Sequence, residues 1–177
     1  MSGLSRTKTV SFDVDDTLVC HHPGAPTEKR TWLGLIFRWF GEPLRSGART
    51  LMTELRTRGC AIWIYTTSGR SMSGIKLWLW FYGIRVDGVV NDELHHKMIT
   101  NRGLPRPPSK YPPGFGIDLH VDDSDGVRME GVRHGFRVIV VRPDDQDWVR
   151  RVLDEVNKDE PPTPRVTPRT YPTERSC

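Results

Sequence analysis

The densest chemistry in this sequence lies where Val10-Ser11-Phe12 runs into Asp13-Val14-Asp15-Asp16-Thr17-Leu18. Carboxylates packed this closely repel one another unless bound protons or a cation relieve them, and a hard divalent cation is the natural solution. Residues two apart on an extended chain point the same way, so Asp13 and Asp15 can approach one substrate together. One is then suited to act as a nucleophile and the other as an acid and base. A second acidic pair, Asp122-Asp123, follows Leu119-His120-Val121, and Thr66 follows the apolar run Ala61 to Tyr65. Taken singly, each has a plain explanation: a capping turn for the acids, a strand-end threonine for Thr66. Their combination is what points to a shared site.

Five β-branched and aromatic runs read as strands: Lys8 to Val14, Cys60 to Thr66, Arg85 to Val90, Ile117 to Val121 and Phe136 to Val141. Between them lie segments with helix start and stop signals. Thr27 is suited to cap a stretch carrying Trp32, Leu35, Ile36, Trp39 and Phe40 that stops at Gly41, and Ser46 to cap Ala48 to Arg58 before Gly59. Ser71 opens a third segment, closed by Gly83, and Val127 to His134 and Asp145 to Asn157 add further helical spacing. Such alternation predicts an α/β fold, a Rossmann-like three-layer α/β/α sandwich with a mainly parallel sheet. In open sheets of this kind ligands bind beyond the carboxyl ends of the strands, where Asp13, Thr66 and Asp122 all fall. Arg102 to Phe115 holds five prolines and two glycines and is expected to be an ordered loop or flap.

With these motifs in order, the sequence resembles the haloacid dehalogenase-like (HAD) hydrolase superfamily. Its first motif, an apolar strand followed by Asp-x-Asp-x-Thr, is matched by Asp13, Asp15 and Thr17. The second, a strand ending in Thr or Ser, looks like Ala61 to Thr66, and the fourth, a strand ending in acids, looks like Leu119 to Asp123. The resemblance implies that Asp13 attacks phosphorus to give an aspartyl-phosphate, while Asp15 protonates the leaving oxygen and then activates water. It implies that Thr66 hydrogen-bonds the phosphoryl oxygens. It also implies a Mg2+ held by the Asp13 carboxylate, the Asp15 backbone carbonyl and Asp123, with Asp122 or Asp125 supporting its waters. The family's lysine has two claimants, Lys110 and Lys97; Lys110 is preferred because it lies shortly before the fourth-motif strand.

Neither interval in which this superfamily inserts a cap domain is large enough for one: two helices fill most of Leu18 to Cys60, and a helix, a strand and a loop fill Thr67 to Lys110. The resemblance is therefore to a capless phosphatase. Ser68-Gly69-Arg70 further resembles the phosphatase domain of polynucleotide kinase-phosphatases. Thr67 and Arg70 are candidate substrate-binding residues, Arg70 either gripping a second phosphate or standing as an ordinary surface arginine at a helix start. A terminal nucleic-acid phosphate then stands beside a small phosphorylated molecule as substrate. A catalytically idle binding module of the same fold is the alternative of a different class.

The remaining residues are assigned to packing or surface. Cys20, His21 and His22 are too close together to surround a zinc ion and are expected to line the mouth beside the aspartates. His95 and His96 are expected on the surface, and the Trp78, Trp80, Phe81 and Tyr82 group in the core. At 177 residues, 36% hydrophobic and 27% charged, the chain fits one globular domain, placed at residues 1–157, with a Pro-, Thr- and Arg-rich tail over 158–177. The polar start, Met1 to Thr9, and three cysteines at scattered spacing suit a cytoplasmic protein with no membrane segment. A net charge of +4 favours anionic substrates only mildly.

Overall fold

The structure is a computed structural model that describes residues 7–22, 25–29, 42–103 and 106–158. All five expected strands form: β1 (Thr9–Phe12), β2 (Ala61–Tyr65), β3 (Gly88–Val90), β4 (Leu119–Asp122) and β5 (Val138–Val140). They pair in parallel in the order β3-β2-β1-β4-β5. After β3 the chain therefore returns to the far side of β1, and the direction of winding reverses between β1 and β4. That reversal opens the crevice in which α/β sheets of this Rossmann-like kind bind ligands.

Among the described residues five helices accompany the sheet: α1 (Ala48–Thr57), α2 (Met72–Trp80), α3 (Asp92–Arg102), α4 (Asp125–His134) and α5 (Trp148–Asn157). Pleating sends alternate strand residues to opposite faces. Val10, Phe12, Ile62, Ile64, Leu119 and Val121 point to one face and pack with Leu51 and Leu55 of α1, Ile75 and Leu79 of α2, and Trp148 and Val152 of α5 in one continuous core. Fully burying each such side chain stabilises the fold by about 1.5–3 kcal/mol. On the other face Tyr65, Val90 and Ile117 form a smaller cluster with Trp63, Leu94 of α3 and Phe115.

Five features depart from the sequence reading. Trp80, expected in the core, is exposed at the end of α2. The segment Asp92–Arg102, expected to be loop, is helix α3, capped by Asn91, whose side chain accepts from the Leu94 amide at 3.2 Å. Within the proline-rich segment, Pro112–Phe115 forms a short 3-10 turn. Helix α1 is capped at Gly47 rather than by the Ser46 side chain: Glu28 Oε1 accepts from the amides of Gly47 (2.9 Å) and Arg49 (3.2 Å). Gly47 has φ of 87°, and an added Cβ there would lie 2.6 Å from Val149 Cγ2, so only glycine fits. His95, expected on the surface, is buried, because the Tyr65 hydroxyl gives its ring a partner inside. The helix expected over Trp32 to Phe40 and the tail from Asp159 lie outside the described residues.

Candidate active site

The same pleat that builds the apolar core places a polar line on the opposite face. Ser11, registered against His120 in the β1–β4 ladder, shares its face with Asp13, and His120 shares its face with Asp122. The Asp13 amide donates to the Val121 carbonyl at 2.9 Å, which continues the ladder and sets Asp13 beside the end of β4. Asp13, Asp122 and Asp123 offer carboxylate oxygens within 4.8 Å of one another.

Lys110 closes this group. Its ammonium lies 2.7 Å from both Asp13 Oδ1 and Asp122 Oδ2, and all three side chains are at least nine-tenths buried. Lys97, the competing lysine, is exposed on α3. An irregular, proline-rich segment holds Lys110 in place because both its neighbours are tied down. The Ser109 amide and hydroxyl donate to Glu130 Oε2 of α4, and the Tyr111 amide donates to Tyr65 Oη of β2 at 2.7 Å. With that oxygen accepting from Tyr111, the Tyr65 proton is free to be donated to His95 Nδ1, 2.6 Å away. Burial lowers the His95 pKa, which keeps that nitrogen an acceptor.

His120 underpins the acids. Fully buried, it bonds Asp122 Oδ2 through Nε2 at 3.0 Å and Ser11 Oγ through Nδ1 at 2.8 Å. Burial lowers its pKa, so the neutral ring donates to Asp122 and accepts from Ser11. Asp122 Oδ1 accepts from the Ser124 amide at 2.9 Å. Burial opposes ionisation of Asp122, but His120 and Lys110 outweigh it and hold its carboxyl well below the ordinary carboxylate range. Asp13 goes the other way: burial raises its pKa, the Asp122 charge adds to this, and Lys110 only partly offsets it. Burial and the Asp122 charge likewise raise Asp123.

Three carboxylates beside one ammonium leave two negative charges unbalanced, which adds to burial in raising the Asp13 and Asp123 carboxyls. A hard divalent cation with oxygen ligands fits this donor set in charge and in chemistry. Asp122 already has Lys110, His120 and the Ser124 amide as partners, so Asp13 and Asp123 are the carboxylates best placed to hold it. Asp125 is drawn away to Arg128 and Arg142.

The other sequence candidates divide. Thr66 is buried at the end of β2, its hydroxyl donating to Ser68 Oγ at 3.1 Å, whereas Thr67 is exposed. The Asp15 carboxylate stands outside the acidic trio and is held by Arg70 through two bonds, Nη1 to Oδ2 at 2.7 Å and Nη2 to Oδ1 at 2.8 Å. Those bonds to Arg70 hold the Asp15 pKa below the ordinary value against the opposing effect of burial. His21 lies 3.6 Å from Asp15 at the exposed mouth, where His22 is also exposed, while Cys20 is buried. The turn that carries these residues passes through Asp16, at φ of 53°, and Thr17 Oγ1 is buried without a partner among the described residues.

Two residues that sequence reasoning passed over are central: His120 and Arg45. Arg45 is buried, lies 4.6 Å above the Trp148 ring, and donates to the carbonyls of Arg142 (2.6 Å), Asp145 (2.8 Å) and Thr17 (3.4 Å). It thereby ties the aspartate turn to the segment after β5. A histidine inside an otherwise apolar parallel strand was the available signal for His120. Arg45 gave none, since its guanidinium donates only to backbone carbonyls.

No family model and no curated protein matches the chain. Among solved structures it is similar to a predicted HAD-like family hydrolase from Porphyromonas gingivalis, with 10% identity, a TM-score of 0.45, and coverage of 87% of this chain and 100% of that one.

Proposed function

We propose that this chain is a Mg2+-dependent phosphohydrolase of the HAD-like type, a capless phosphomonoesterase acting through an aspartyl-phosphate. The observation that carries this reading is the convergence of Asp13, Asp122, Asp123 and Lys110 at the topological switch point of a parallel sheet. Mg2+ held by Asp13 and Asp123 would screen the nucleophile from an anionic substrate and polarise a phosphoryl oxygen.

In this reading Lys110 occupies Asp13 Oδ1, which leaves Oδ2 to attack phosphorus. The bond from phosphorus to the ester oxygen breaks, and that oxygen takes a proton from Asp15, whose Oδ1 must first leave Arg70 Nη2 to carry it. Water then attacks the aspartyl-phosphate, giving its proton to Asp15 as inorganic phosphate leaves with Asp13 restored. Lys110 offsets charge on Asp13 and the transferring group, and Thr66 hydrogen-bonds the phosphoryl oxygens. His120 and Ser11 fix Asp122, and Asp122 in turn fixes Lys110.

A second reading has its own observation. Asp15 is engaged by Arg70 rather than free, as expected of an idle binding module of this fold. Turnover separates the two. Purified protein should hydrolyse an aryl phosphate with Mg2+ and not with EDTA, and Asp13→Asn should lower the rate by about 10⁴-fold or more. No turnover by the wild type across nucleotides, 3′-phosphorylated oligonucleotides and small phosphoesters would favour the binding module. Turnover by the variant at the wild-type rate would remove Asp13 as nucleophile.

A further inference from the structure

Arg70 carries more anions than it can neutralise. Its Nη1 donates to Asp15 Oδ2 and to Ser68 Oγ (3.0 Å), and its Nη2 donates to Asp15 Oδ1 and to Glu42 Oε2 (2.7 Å). Two carboxylates thus share one guanidinium, so one of them is in excess. They are not held equally. Asp15 has the bidentate contact, the stronger geometry for an arginine, with His21 on its other side, while Glu42 has a single contact to the guanidinium. Both acids are about two-fifths exposed and Arg70 about one-third, so an anion from solution reaches this group. Ser68 links the guanidinium to Thr66, because its hydroxyl accepts from Arg70 at 3.0 Å and from Thr66 at 3.1 Å.

We propose that the Glu42 carboxylate occupies the place of a second anionic group of the substrate. The enzyme would then select phosphomonoesters carrying another phosphate beside the scissile one, with Arg70 as the group that binds it. This rests on the reading of Thr66 and Asp13 as the phosphoryl site. When the second anion arrives it takes the Nη2 position of Glu42. Arg70 keeps its Nη1 contact with Asp15 Oδ2 while Nη2 turns to the anion, so Asp15 Oδ1 is released to carry the proton that the leaving oxygen takes. A substrate with one phosphate leaves Glu42 in place and gains nothing from Arg70. Glu42 acts as a built-in competitor that weakens binding of every ligand using that position.

Calorimetric binding to Asp13→Asn protein with Mg2+, which needs no turnover, tests this with two probes: a nucleoside 3′-monophosphate and the corresponding 3′,5′-bisphosphate. The bisphosphate should bind about fivefold or more tightly than the monophosphate, as one additional exposed charge contact implies. Adding Glu42→Gln should tighten bisphosphate binding by about threefold and leave the monophosphate unchanged. In an Arg70→Gln background both the preference and the effect of Glu42→Gln should vanish. Equal affinity for the two probes, no binding of either, or a Glu42→Gln effect that survives loss of Arg70 would overturn the proposal. A bisphosphate preference in a protein whose wild type turns over no phosphoester would keep the Arg70 site and reject the phosphatase.

Discussion

The two aspartates of the first motif sit two residues apart in opposite surroundings. Asp13 is buried against Lys110, which Asp122 and His120 fix from below and Ser109 and Tyr111 fix along the chain. Asp15 stands at the half-exposed mouth, gripped by an arginine that also holds Glu42. One turn of chain thus combines a preorganised centre with an adjustable rim. Buried charges are strongly coupled and costly to disturb, so the partners around Asp13 are fixed by structure. Exposed charge pairs are weak and screened, so Glu42, the second partner of Arg70, can be exchanged for ligand.

The largest effect in this comparison is expected at the buried end. Lys110→Met leaves Asp13 and Asp122 facing one another without their shared cation, which should cost about 3–5 kcal/mol of unfolding free energy in metal-free buffer. Denaturant titration measures it, and a loss below about 1 kcal/mol would show that the acids do not depend on Lys110. Next comes the anchor of its loop. Tyr65→Phe removes the acceptor for the Tyr111 amide and the donor to His95, with an expected cost of about 1–3 kcal/mol. Because Lys110 is the neighbouring residue, turnover should fall about tenfold in the same variant while Mg2+ still supports it. Unchanged turnover would mean that Lys110 is positioned by its acids alone. The smallest effect belongs to the rim: Arg70→Gln should change stability by under about 1 kcal/mol, and molar salt should erase even that. A larger, salt-resistant loss would place Asp15 among the fixed charges and end the contrast.

How much of this was legible in the sequence follows from how local each feature is. The five strands were, because apolar β-branched runs record burial directly. So was the clustering of acids at strand ends, since the ends of parallel strands at one edge of a sheet are brought together by topology alone. Helix α3 was missed because Asp92–Arg102 buries only His95 and shows no apolar stripe, although Asn91, the acidic first turn and Gly103 supply both its ends. Caps were the better guide there than periodicity. Glu28 as the cap of α1 and Arg45 as the tie to the segment after β5 act across 19 to 100 residues, through backbone groups that every residue possesses. Nothing in a local window records them. The ion pair between Arg70 and Asp15 spans 55 residues and has the same character, which is why the sequence suggested a phosphate contact for Arg70 and not its grip on Asp15.

Passage of the phosphoryl group through Asp13 can be measured directly. A single-turnover reaction of the wild-type protein with a labelled aryl phosphate and Mg2+, quenched in acid and mapped by peptide mass spectrometry, should place the label on Asp13 and on no residue of the Asp13→Asn variant. Release of phosphate at the full rate with no label on Asp13 at any time would contradict it.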